Sequence, residues 1–267
     1  MTLLAILVGT LVAGIGSVWV AAWLSFGILS RYTQHMLSLA AGALMATSFL
    51  HLLPEAFESE AGAHQLFLTL LLGLVFFFLL DKAELWHHGH EHSHDHGHPA
   101  HHGHEHPSHG ADSGESPRGQ WAVLAGDSVH CFGDGILIAS AFIADMRLGV
   151  IAALAVLAHE VPHHMGDLAV LRQGSSSRRA AILKVSMAGA ITAFGGAVGY
   201  VLVDALHDWL PFFLVVASSS FVYVALADLI PQLQKRLSAR ETAAQIFWLG
   251  MGMGMVVLVS AVAGHSH

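Results

Sequence analysis

Eight stretches of this chain run for about twenty residues or more with almost no charge, the length a helix needs to cross the hydrocarbon of a bilayer. They are Leu4–Leu29, Met36–Phe57, Leu66–Leu85, Ala122–Ala144, Leu148–Leu171, Ile182–Leu206, Pro211–Leu233 and Ala243–Ala263. Lipid offers no hydrogen bonds, so a single spanning segment must satisfy its own backbone, and the α-helix does. The expected fold class is an all-α membrane protein with eight transmembrane helices. Only 11% of the residues are charged, with 54% hydrophobic, against roughly a quarter charged in a soluble domain. The 11 Lys and Arg are too few for a nucleic-acid surface, and one cysteine excludes an intrachain disulfide. The N-terminus has no basic run before its apolar residues, so it is expected to be a retained helix rather than a cleaved signal.

The basic residues set the orientation. Arg31, Lys82, Arg118, Arg172, Arg178, Arg179, Lys184, Lys235, Arg236 and Arg240 fall in one set of alternate connections, and only Arg147 falls in the other. The positive-inside rule makes the first set cytoplasmic and puts both termini outside. Three regions follow: residues 1–85 with the first three spans, residues 86–120 as a cytoplasmic loop, and residues 121–267 with the last five. The loop carries HHGHEHSHDHGHPAHHGHEHPSHG, a run rich in His, Gly, Pro and acids with nothing apolar to bury. Such a segment is expected to be disordered and to bind divalent metals weakly through interchangeable imidazoles. His265 and His267 are of the same type but too few to argue from.

Two of the apolar stretches hold what hydrocarbon least tolerates: HCFGDG at His130–Gly135 and HEVPHHMGD at His159–Asp167. Each Asp near the centre of a spanning helix costs roughly 2.5–3.5 kcal/mol on insertion scales. Groups of this kind persist when they pair, line a wet cavity or bind a cation. At 100° per residue, Asp127, His130, Cys131 and Asp134 fall within an arc of about 100° on one helix. His159, Glu160, His163, His164 and Asp167 fall within about 140° on the next. Imidazole, carboxylate and one thiol on facing stripes suit zinc or a similar first-row dication. Hydrogen bonding between helices would be the plain alternative, and for Cys131 the plain alternative is a small buried hydrophobe. Pro162 lacks an N–H, so the carbonyl of Ala158 is expected to lose its helical partner beside these groups.

Weaker signals lie elsewhere. SFLHLLPEA (Ser48–Ala56) and VALADLIPQL (Val224–Leu233) resemble each other and run in opposite directions, which suggests an inverted repeat. His51 and Asp228 within them are candidates for a transport path, as are Asp127 and Asp167. Glu55, Glu58 and Glu60 would make an acidic outer mouth. The G-x-x-x-G spacings at Gly195–Gly199 and Gly250–Gly254 point to close helix packing.

HCFGDG and HEVPHHMGD, together with the His-rich loop, LLPEA and SSSFVYVALADLIPQL, resemble the ZIP (Zrt/Irt-like) family of divalent-metal transporters over essentially the whole chain. The resemblance implies a three-two-three helix arrangement and a two-metal centre between the fourth and fifth spans. It implies passage of zinc, or of iron, manganese or cadmium, into the cytoplasm as transported substrate, with no prosthetic group and with room for a homodimer. By matching position His130, Asp134, His159, Glu160 and His163 would be ligands. Cys131 stands where the family usually has Asn, and His164 where HExPHE members have Glu. Met45 is the nearest counterpart of a methionine that often contributes, though its position reads as core. Two other functions share features. HEVPH matches the H-E-x-x-H of zinc proteases, but Pro162 interrupts the motif and Asp134 precedes it. Efflux carriers of the cation-diffusion type also have His-rich loops, but usually with six spans and a cytoplasmic C-terminal domain. A metal store without transport would leave the buried ligands without a purpose.

Overall fold

The computed structural model describes residues 1–25, 33–89, 117–173, 177–230 and 238–264. Its helices include 8 that are long and apolar enough to span a membrane: Thr2–Leu24, Gln34–Phe57, Ala63–Leu80, Asp127–Ala144, Met146–Leu168, Arg178–Val203, His207–Ala227 and Ala239–Val262. No strand occurs among the described residues. The third helix continues through His87 and His88 to Gly89, and the fourth begins at Pro117. Residues 90–116, His265 and His267 lie outside the described residues.

Burial sorts the spans into centre and periphery. The apolar windows of the second and fifth spans are 67% buried, those of the third and eighth 11%. The peripheral helices turn Leu71, Leu72, Phe76, Ile246, Phe247 and Leu258 outward, as expected where the surroundings are lipid and there is no water to avoid. What brings the helices together is small residues. A Cβ on Gly135 would overlap the Thr192 carbonyl, one on Gly195 the Phe132 carbonyl, and Gly199 sits against Ile136. These contacts press the sixth span onto the fourth, as the Gly195–Gly199 spacing predicts. Gly14 and Gly189 bring the first span onto the sixth, and Gly42 and Gly252 bring the second onto the eighth. The other G-x-x-x-G makes no such contact among the described residues: a Cβ on Gly250 or Gly254 would meet nothing there within 4 Å, and Gly252, on a different face, packs against Leu39. A period of four marks a small face without saying what covers it.

Several hydroxyls within the spans are absorbed by their own helices. Thr10 donates to the Ile6 carbonyl at 2.7 Å, Thr47 to Ala43 at 2.9 Å and Ser140 to Ile136 at 2.9 Å, the usual answer where no water competes. Among the described residues three spans contain a π-helical turn: Val12–Gly16, Ser48–Leu52 and Val224–Leu229. The last two occupy matching places in the two similar segments, each ending two residues before a proline, Pro54 or Pro231. Pro54 supplies no backbone donor to the turn before it, which leaves the wider ring as the local solution. Pro162 breaks nothing so visible, since the fifth helix runs unbroken from Met146 to Gln173.

Candidate metal centre

The register of the fourth and fifth spans is set at one residue. Asp145 alone separates the helices ending at Ala144 and starting at Met146. Its Oδ1 accepts hydrogen bonds from the backbone N–H of Arg147 at 2.8 Å and Leu148 at 3.4 Å, capping the fifth helix as a carboxylate at an N-terminus does. Residues equally far from this corner then face each other, so His130 and Cys131 meet His159 and Glu160. At 1.5 Å per residue they lie about 20 Å from the corner, well within hydrocarbon roughly 30 Å thick.

Two groups of side chains converge there, with the ligand atoms of each group all within 4.8 Å of one another. The first is His130, Asp134, His159 and Glu160. His159 Nε2 lies 3.2 Å from Asp134 Oδ2, 3.4 Å from Glu160 Oε1 and 3.3 Å from His130 Nε2. His130 Nε2 is 3.3 Å from the same Glu160 oxygen. The second group is Asp127, Cys131, Glu160 and His164. His164 Nε2 lies 3.1 Å from Glu160 Oε2 and 3.8 Å from Asp127 Oδ1, and Cys131 Sγ is 3.8 Å from that Asp127 oxygen. Glu160 belongs to both groups and turns one oxygen to each.

These spacings have a chemical reading. A tetrahedral ion holding N and O ligands at about 2.0–2.1 Å sets its donors about 3.3 Å apart, and a sulfur ligand widens that to about 3.6 Å. The imidazole protons agree. His159 Nδ1 is 3.4 Å from the Ala155 carbonyl, an acceptor only, so the proton belongs on Nδ1 and the lone pair of Nε2 points into the cluster. Asp134 Oδ2, both Glu160 oxygens and His164 Nε2 are buried without a hydrogen-bond partner. Each such atom costs about 1–3 kcal/mol, and a shared cation answers all of them at once. Asp134, His159, Glu160 and His164 are each at most 2% exposed. The His130 side chain, at 28%, is the open edge.

The remaining candidates divide. His163 lies beside the first group, its ring 5.6 Å from that of His130 and 5.9 Å from that of His159, but outside the converging set. Asp127, on the polar stripe of the fourth span and expected along the transport path, stands inside the second group. Asp167 follows His163 and His164 by about one turn, and His51 sits in the π-helical turn of the second span; neither belongs to a group. Asp228 falls in the π-helical turn of the seventh span. Met45 packs against the apolar core. One polar neighbour had no signal in the sequence: Ser17 of the first span, whose Oγ lies 3.0 Å from Nδ1 of His164.

The fold and the cluster define an integral membrane protein of eight spans with chelating side chains buried between two of them. The chain belongs to the ZIP zinc transporter family, whose model matches residues 1–260. It is 33% identical over 153 residues to zinc transporter ZIP10 of Danio rerio, covering 54% of this chain and 18% of that protein. It is 37% identical over 115 residues to zinc transporter ZIP4 of Homo sapiens, covering 43% of this chain and 18% of that one. Against zinc transporter ZIP13 of Pongo abelii it is 26% identical over 276 residues, covering 95% of this chain and 77% of the relative. The chain thus spans about a fifth of the ZIP10 and ZIP4 relatives and about three quarters of the ZIP13 relative. Members of this family are transporters, not enzymes, which sets aside the protease reading of HEVPH; the family also sets aside the cation-diffusion carriers.

Proposed function

We propose that this protein carries a divalent metal ion, zinc first among the candidates, across a membrane into the cytoplasm by alternating access. The observation that carries the reading is the two-sided Glu160, with His130 and His159 Nε2 3.3 and 3.4 Å from one of its oxygens and His164 Nε2 3.1 Å from the other. His130, Asp134, His159 and Glu160 hold a dication first, with His163 beside them. Asp127, Cys131, His164 and Glu160 take it next, on average about three residues, or about 4 Å, further from the Asp145 corner. Because Glu160 serves both groups, an ion leaving His130 and Asp134 keeps one carboxylate contact while it gains His164. No step requires a bare dication in hydrocarbon.

The orientation in this reading rests on the basic residues: both termini outside, the acidic mouth with Glu55, Glu58 and Glu60 also outside, and the His-rich loop in the cytoplasm, where it collects arriving ions. His51, Asp167 and Asp228 lie along the route at its two ends. A three-two-three arrangement built on an inverted repeat is supported by the matching π-helical turns in the second and seventh spans. A homodimer is compatible with the outward apolar faces.

The test is metal uptake into proteoliposomes of the purified full-length chain, with zinc, iron, manganese and cadmium in competition. Uptake by the wild type, lost in His159→Ala and partly retained when residues 86–120 are deleted, is the expected result. Vesicles that stay tight to every ion overturn the reading. Complete loss on deletion of the loop would favour a metal store.

A further inference from the structure

Ser17 is fully buried and follows directly after the π-helical turn Val12–Gly16 of the first span. Its Oγ lies 2.5 Å from the Gly14 carbonyl oxygen and 3.0 Å from Nδ1 of His164 on the fifth span. Two oxygens so close need a proton between them, and the carbonyl has none to give. The single hydroxyl proton is therefore committed to Gly14, and Ser17 can only accept from His164. Nδ1 of His164 must carry its proton, and Nε2 presents a lone pair towards Glu160 Oε2 at 3.1 Å and Asp127 Oδ1 at 3.8 Å. In the opposite tautomer a lone pair on Nδ1 would face the lone pairs of the serine oxygen.

The serine is itself held in place. A Cβ on Gly14 would overlap the Gly189 carbonyl and crowd Thr192, so the backbone of the first span lies directly on that of the sixth. The π-helical turn inserts one residue into the helix and re-aims every side chain after it. Ser17 owes its direction to that insertion.

We propose that Ser17 is a positioning residue of the metal centre: it fixes the Nδ1–H tautomer and ring orientation of His164, so that Nε2 serves as a ligand of the group containing Cys131. The proposal rests on reading that cluster as a metal centre. Through it a residue of the first span, remote in sequence from both signature motifs, tunes the affinity of one half of the centre and leaves the other half alone.

Cobalt(II) titration of the purified full-length protein tests this, because cobalt bound to the Cys131 thiolate gives a charge-transfer band and cobalt on imidazole and carboxylate does not. Ser17→Ala is expected to weaken the band-forming site about 10–100-fold, the usual effect of losing an outer-shell partner, with the band-silent site unchanged. Ser17→Thr, which keeps the hydroxyl, should stay near wild type, and Ser17→Ala should add nothing in a His164→Ala background. Should Ser17→Ala fail to fold, 15N spectra of histidine-labelled wild type, with His164→Ala for assignment, decide: a protonated Nδ1 and metal-bound Nε2 support the proposal, the reverse overturns it. An unchanged affinity in Ser17→Ala, or a penalty that persists without His164, also overturns it while leaving the metal centre standing. A wild type that binds no cobalt at all brings down the metal centre and the proposal together.

Discussion

His130 and His159 face each other nitrogen to nitrogen, Nε2 to Nε2 at 3.3 Å, from neighbouring antiparallel helices. With the proton of His159 on Nδ1, its Nε2 has only a lone pair to offer, and Asp134 and Glu160 add more negative charge to the same small volume. Such a convergence repels itself unless a positive charge stands within it. That makes the cluster more telling than any of its members.

Removing one member should accordingly be costly. His159→Ala or Asp134→Ala is expected to weaken zinc binding by at least about 100-fold, the upper end of what loss of a mere outer-shell partner does. Equilibrium dialysis of the detergent-solubilised protein measures it.

Glu160→Gln keeps the shape but removes the charge and leaves an oxygen for only one of the two groups. Zinc at one hundred times its Kd should stabilise the wild type by about 2.7 kcal/mol through mass action. Most of that thermal shift should vanish in Glu160→Gln, and chelator should lower the unfolding temperature of the wild type alone.

Cys131 makes the second group softer than oxygen and nitrogen donors would. Thiolate favours cadmium and zinc over manganese, so Cys131→Ser should lower cadmium binding by about tenfold or more, on the scale of a lost partner, and barely alter manganese. A competition titration, cadmium against manganese, reads the difference. Equal losses for both ions would mean the thiol is only a packing group.

Acid should slow uptake. Protons compete with the metal for imidazole nitrogens. The initial rate in proteoliposomes is expected to fall as external pH is lowered and to recover when pH is restored. A rate that rises with acidity would contradict competition at the imidazoles.

The two glycines of HCFGDG should behave oppositely. A Cβ at Gly135 would overlap the Thr192 carbonyl, while at Gly133 it meets nothing within 4 Å. Gly135→Ala should force the fourth and sixth spans apart and cost about 1–3 kcal/mol. Gly133→Ala should be neutral or gain up to about 1 kcal/mol of helix propensity. Thermal unfolding in one detergent compares them.

Much of this protein is legible in its sequence. Eight apolar runs define eight spans, because the length of hydrocarbon and the rise of a helix leave no other solution. The costly stripe on each of the fourth and fifth spans was visible for the same reason: charge in lipid stands out against its surroundings. Periodicity could say that Asp127, His130, Cys131 and Asp134 share a face, since that is a property of one helix.

What lay beyond reach of the sequence was everything that depends on two helices at once. The capped corner at Asp145 sets which residue of one stripe meets which of the other, and so sorts the donors into two groups with Glu160 common to both. That sorting moved Asp127 into a group and left His163 beside one. Gly250 and Gly254 carry the packing spacing and meet no neighbour among the described residues, while Gly252 makes the contact, because a helix face has no meaning until a neighbour arrives. Ser17 is the clearest case: a serine in an apolar helix is ordinary in sequence, and only a π-helical turn and the close approach of the first span to the sixth turn it towards His164. Local periodicity is written along the chain, but register between helices is decided by packing, and the chemistry here lives in the register.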